Sequence, residues 1–148
     1  MSPTRWLVLI GLCGVLGGCA SSATLKNPAP GGPAVSDLEF VPPRTFEGCP
    51  VRLRFHYVEG RMTSGVKGWT LIEGRAGHEE PADTEHPAWS GSLGGQASGD
   101  AAIPLTFQSW GTYRYYIQVE DEAGRWSSAR DAEIVVERRP RRISAACP

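Results

Sequence analysis

The chain has 148 residues, 41% of them hydrophobic and 21% charged, with a formal net charge of −1. That is enough apolar material for one core, and the near-zero charge balance supplies no whole-protein field to draw in a nucleic acid or a membrane surface. Eighteen glycines and twelve prolines favour many turns and short strands over long helices.

The N-terminus comes first. Arg5 gives a basic start, and Trp6 to Leu16 follows as an apolar run without charge. The run is too short to span a bilayer but suits the core of an export signal. It ends in Leu16-Gly17-Gly18-Cys19-Ala20-Ser21-Ser22. This order resembles the lipobox of bacterial lipoproteins: an aliphatic residue, two small residues, then the cysteine that is lipidated and becomes the mature N-terminus. Ile10-Gly11-Leu12-Cys13 competes with it, but sets bulky Leu12 beside the cysteine and halves the apolar run. The alternative is an ordinary secretory signal whose cleavage site contains a cysteine.

The resemblance implies that residues 1–18 are a signal peptide and that Cys19 carries palmitate or similar acyl chains. Several chains, at about 0.8 kcal/mol per buried CH₂, anchor a protein firmly where one is marginal. Ala20, in place of the aspartate that retains lipoproteins at the inner membrane, implies an outer-membrane address. The periplasmic side is expected, with surface display as the alternative. If Cys13 leaves with the signal and Cys19 carries lipid, then Cys49 and Cys147 remain in an oxidising compartment, which implies one disulfide between them. Two unpaired thiols, or an intermolecular bridge through the tail, are the alternatives.

Residues 19–34 are rich in Pro, Gly and Ser, and are expected to form an extended tether without regular structure. Leu38-Glu39-Phe40-Val41 reads as a short first strand ended by Pro42-Pro43, which cannot donate to a ladder. Val51 to Tyr57 alternates Val/Leu/Phe/Tyr against Arg/Arg/His, the period of a half-buried strand. Lys67 to Glu73 is the next strand, with Trp69 and Leu71 in the inward phase. From Gly74 to Asp100 only Trp89 and Leu93 stand out as apolar anchors. One or two short edge strands around Ala88–Leu93 are expected there, since a structureless loop of that length is unusual. Ala102 to Phe107 turns Ile103, Leu105 and Phe107 inward. Tyr113, Tyr115, Ile117 and Val119 then alternate with Arg114, Tyr116, Gln118 and Glu120. Asp121 to Gly124 supplies a turn, and Ala132 to Glu137 follows at hairpin distance.

Taken together, residues 35–138 read as an all-β unit of about seven strands, followed by a basic tail over 139–148. These residues resemble a single immunoglobulin-like or fibronectin-III-like antiparallel β-sandwich. Gly111-Thr112-Tyr113 resembles a tyrosine corner, Trp69 takes the place of a third-strand core tryptophan, and Val119 to Ser127 resembles the closing hairpin of bacterial extracellular modules. The chain departs from antibody domains in lacking their intersheet disulfide. The fold hosts many functions and names none.

Candidate chemistry is sparse. His78-Glu79-Glu80-Pro81-Ala82-Asp83-Thr84-Glu85-His86 is the densest run of ligand types, and His78, Glu79 and His86 are its candidate metal ligands. The spacing matches no metal signature, and a solvated acidic loop is the plainer reading. His56 sits on the polar face of its strand beside Arg52 and Arg54; a general-base role would need a nucleophile and an orienting acid, and no Gly-x-Ser-x-Gly elbow is present, so a surface histidine is expected. No phosphate-cradling loop occurs. Trp89, Trp110 and Trp126, with outward Tyr116, are candidate contacts for a glycan, a peptide or a partner protein. Trp89 has the best claim to exposure; Trp110 and Trp126 could instead plug the ends of the sandwich.

The sequence therefore points to an envelope lipoprotein, held to the membrane through its N-terminal lipid. It is expected to act without enzymatic activity and without a cofactor, as a binding or assembly module for an envelope protein. A glycan- or peptidoglycan-binding module is the first alternative. A metal-binding protein or metal-dependent enzyme built on residues 78–86 is the second. Nucleic acid is not an expected partner.

Overall fold

A computed structural model describes residues 21–75, 85–140 and 146–148, with Arg75 described by its backbone alone. Among these residues there are nine strands and no helix: β1 (Ser21–Ala23), β2 (Ala34–Val41), β3 (Arg44–Phe46), β4 (Pro50–Val58), β5 (Val66–Arg75), β6 (His86–Gln96), β7 (Ser98–Thr106), β8 (Gly111–Asp121) and β9 (Arg130–Glu137). They form two sheets, one of six strands in the order β1-β6-β5-β8-β9-β3 and one of three in the order β2-β4-β7. The core lies between them.

Alternation builds the small sheet. In β4, Val51, Leu53, Phe55 and Tyr57 are buried, while Arg52 and Arg54 face out. In β7, Ile103 and Leu105 meet Leu53 and Val51 in register, and outward Pro104 lies opposite Arg52. β7 is an edge strand, where a missing N–H leaves no ladder bond unmade. Pro42-Pro43 ends β2 as its lack of donors requires. The chain then leaves its antiparallel pairing with β4, crosses to the large sheet, and pairs β3 in parallel with β9.

Aromatic residues from both sheets fill the core. Phe40, Phe107 and Tyr115 meet edge-on with ring centroids 6.0–6.5 Å apart, a favoured arrangement for paired quadrupoles. Trp89 joins them, 6.0 Å from Tyr115. The residue with the best claim to exposure is thus packed against the core, and the edge strand expected around Ala88–Leu93 is present, within a strand of eleven residues. Ser, Gly and Pro are poor strand formers, so neighbouring strands dictate β6, not its own composition. Trp69, expected in the core, is half-buried and, like Trp89, packs against the core cluster. Its indole lies over Gly91, where an added Cβ would come within 2.5–2.7 Å of the ring.

Cys49 and Cys147 stand at disulfide-bonding distance, with Cα atoms 5.4 Å apart across a sequence separation of 98. The bridge ties the end of the chain to the start of β4, as expected from the cysteine count.

The expected tether is different. Residues 21–33 lie along the outer face of the large sheet as a strap. β1 pairs with the start of β6, setting Ser21 opposite Ala88 and Ala23 opposite His86. Ala23 and Leu25 pack on Ile72, Ala88 and Tyr116. Lys26 N–H donates to Gln118 Oε1 at 2.8 Å, and Gln118 Nε2 returns a bond to Lys26 O at 2.7 Å. Ala29 N–H donates to Trp126 O, and Arg61 N–H to Gly31 O, each at 3.0 Å. Composition rules out much internal structure in this stretch, but not its capture by an existing sheet.

The strap explains why both faces of β8 are buried from Tyr115 to Val119. Tyr116, expected to point outward for a partner, is 4% exposed. It is covered by the chain's own N-terminal segment and is no surface contact.

Candidate binding groove on the large sheet

The strap leaves part of the outer face of β5 and β6 uncovered. An open groove of about 300 Å³ lies there, with Thr70, Ser90, Ser92 and Gly68 along it and Glu120 and Trp126 at its side. Register explains the floor. Thr70 lies opposite Ser90, and Gly68 opposite Ser92, on one side; Thr70 lies opposite Gln118, and Gly68 opposite Glu120, on the other. These positions are out of phase with the core residues Leu71, Ile117 and Val119, so they face outward. Their small side chains leave a trough that larger ones would fill. Against β8 a register shift bulges β5 at Lys67, and against β5 the extra residues fall in β6 between Ser92 and Gln96; Lys67 Nζ reaches Glu120 Oε2 at 3.5 Å on the rim. Ser92 Oγ donates to Lys67 O at 3.4 Å and accepts from Gly94 N–H at 3.2 Å.

Trp126 forms the wall because the turn before it is rigid. It pairs with Glu120 through an isolated antiparallel bridge. Asp121, fully buried, organises the turn: Oδ1 accepts from Ala123 N–H at 3.0 Å and Arg125 N–H at 2.9 Å, and Oδ2 from Arg125 Nε at 2.8 Å. Arg125 Nη2 in turn donates to Ser64 Oγ at 3.0 Å. Burial alone acts to raise the Asp121 carboxyl. The hydrogen bonds from Arg125 and Ser64 and the guanidinium charge outweigh it and hold the group below its ordinary value. Gly124, with φ of +78°, closes the turn. On the far side of Trp126, Ser127 Oγ accepts from Val119 N–H at 3.0 Å.

Trp110 is 61% exposed and plugs nothing. It precedes β8 at Gly111, whereas Trp126 pairs near the strand's other end. At about 3.4 Å per residue the backbone positions of the two tryptophans lie on the order of 30 Å apart along the strand. With Trp89 half-buried against the core and Tyr116 under the strap, the four candidate aromatics form no single platform. Trp126 is the one that lines the groove.

The other end of the sandwich carries a tyrosine cluster. Tyr113 Oη donates to Ser109 O at 2.8 Å. Burial raises the Glu73 carboxyl, against a hydrogen bond from Tyr115 and the charge of His86. Burial also raises the Tyr115 hydroxyl, with Glu73 adding to the effect. His86, half-buried, opens β6; His78 and Glu79 lie outside the described residues. Among the described residues no group of three or more His, Cys, Asp or Glu side chains is placed to hold a metal ion. His56 Nδ1 lies 3.0 Å from Asp100 Oδ1 on the exposed face of the small sheet.

Lys67, Thr70, Ser90, Ser92 and Glu120 went unread as site residues. The signal was the outward run Ser90-Gly91-Ser92, legible only once β6 is known to be a strand beside β5.

Compared with protein-family models and with curated proteins, the sequence matches none.

Proposed function

We propose that this chain is a lipid-anchored envelope protein, attached through Cys19, whose immunoglobulin-like sandwich acts as a non-enzymatic binding or assembly module. The observation that carries the binding role is the groove. It is open and framed by paired strands, with an indole wall held by a buried Asp121–Arg125 turn. Its hydroxyls, indole and one ion pair are equipment for holding a ligand, and no side chain in it is set up as a nucleophile beside a base.

Several features support the wider reading. The Leu16-Gly17-Gly18-Cys19 order supports lipidation, and Ala20 after it supports the outer-membrane address. The Cys49–Cys147 pair suits an oxidising compartment. The strand order β6-β5-β8-β9 facing β2-β4-β7 supports an immunoglobulin-like assignment. So does the Tyr113 hydroxyl bonded four residues upstream, as in a tyrosine corner.

A glycan is the second reading for the same groove, favoured by the indole beside Thr70, Ser90 and Ser92. Isolated cell-wall sacculi separate the two. Sedimentation with sacculi that is lost in Trp126→Ala supports the glycan. Binding that ignores Trp126, or no binding, leaves the protein partner. Metabolic acyl labelling tests the anchor: Cys19→Ser abolishes it, and persistence of label would remove the anchor from the account.

A further inference from the structure

We propose that the β1–β6 edge of the large sheet sits directly on the surface of the bilayer that holds the lipid, with the adjoining groove left open beside it. The inference rests on the lipoprotein reading of Cys19 and fixes the geometry of that anchor. The first observation is distance. Ser21 is fixed opposite Ala88, and Ala20 alone stands between it and Cys19. Two extended residues reach about 7 Å, so acyl chains on Cys19 enter the bilayer within that reach of the β6 edge. Ser90, on the groove, is only two residues along β6 from Ala88.

The second observation is the absence of slack downstream. The strap is fastened at Ala23 and Leu25 by packing, at Lys26 by Gln118, at Ala29 by Trp126 and at Gly31 by Arg61. The residues whose composition suggests a spacer are all spent crossing the sheet before β2 begins.

The third is the edge itself. From Trp89 to Gln96, β6 carries no charged residue, and among the described residues its outer edge has no partner beyond Ala88. Beyond Ser92 the strand bulges through Gly94 and Gly95, both at positive φ, so the flat uncharged edge is Trp89 to Ser92, a short template for the edge-to-edge association that proteins block with charge, proline, a bulge or a cover. A headgroup layer supplies both the cover and polar partners. A second copy is the rival occupant, and the proximity of Cys19 decides for the bilayer.

The test uses the full acylated chain in vesicles of phosphatidylethanolamine and phosphatidylglycerol, with a fraction of headgroups carrying a nitroxide quencher. A fluorophore is placed at Ser90→Cys, at Ser92→Cys, or at Arg44→Cys on β3, the opposite edge. With four strand spacings between β6 and β3, the edges lie about 19 Å apart. Quenching is expected to be several-fold stronger at Ser90 and Ser92 than at Arg44. Gln96→Cys replaces either serine variant should it fail to fold. Equal quenching at both edges, with acylation intact, overturns the seating and leaves the lipoprotein reading standing. Missing acylation overturns both. Weak quenching at β6 with intermolecular crosslinks between β6 edges overturns it in favour of a second copy.

Discussion

The Gln118 side chain and the Lys26 backbone hold each other through two opposed hydrogen bonds, 2.8 and 2.7 Å long, across 92 residues of sequence. Gln118 also donates to Ser127 O at 2.8 Å, so one buried amide joins the N-terminal strap, the central strand and the turn that carries Trp126. Buried polar groups satisfied in this way specify one arrangement, because any slip leaves donors and acceptors unmade.

Gln118→Ala removes these bonds and strands the Lys26 and Ser127 groups. At about 1 kcal/mol for each net hydrogen bond, with more for any polar group left dry, the expected loss is roughly 2–4 kcal/mol. Chemical denaturation measures it. Faster amide exchange at Lys26 and Ala29 would show that the strap lifts first; exchange unchanged there would separate the strap from Gln118.

Acid should unfold this protein partly through Asp121. Its carboxyl is held below the ordinary value, so stability rises with pH wherever the unfolded chain still binds a proton that the folded chain has released. That contribution is complete above the ordinary carboxylate range near pH ~4 and is lost as pH falls through the lowered native value. Asp121→Asn should be less stable than wild type at neutral pH, and the difference should narrow in acid. A constant difference across the range would remove Asp121 from the acid limb.

Reduction of Cys49–Cys147 opens a loop spanning a sequence separation of 98. Loop-closure entropy puts the loss at about 4–5 kcal/mol at most. Denaturant midpoints with and without reductant give the value, and non-reducing mass mapping should recover the two cysteines in one linked peptide pair.

Trp110→Ala should change stability by less than about 0.5 kcal/mol, as expected for an exposed side chain outside any buried network. Trp126→Ala should leave the fold cooperative but weaken whatever the groove holds. If Trp110→Ala abolishes binding and Trp126→Ala does not, the site lies at the other end of the sandwich.

Much of the fold was legible because its strands obey period two. Val51 to Tyr57, Ile103 to Phe107 and Tyr113 to Val119 each place alternate residues in the core, and Pro42-Pro43 marks the crossing between sheets. The edge strand expected around Ala88–Leu93 is present as part of β6, paired with the preceding strand. Ser21 to Pro33 escaped because its composition does not favour strands and its partners are remote in sequence. Once the strap was read as a spacer, Tyr116 had to be read as exposed. The groove was hidden for the same reason: its floor takes Thr70 from one strand and Ser90 from another, and no spacing in the chain brings them together.

The central claim is that the groove beside Trp126 meets a partner in the envelope. The most direct measurement is in-cell photocrosslinking from a probe at Ser92, followed by identification of what is captured. The account predicts a discrete adduct with an envelope component, strongly reduced when Trp126→Ala is combined with the probe and undiminished by Trp110→Ala. Capture only from a probe at Trp110, with none from Ser92, would contradict it.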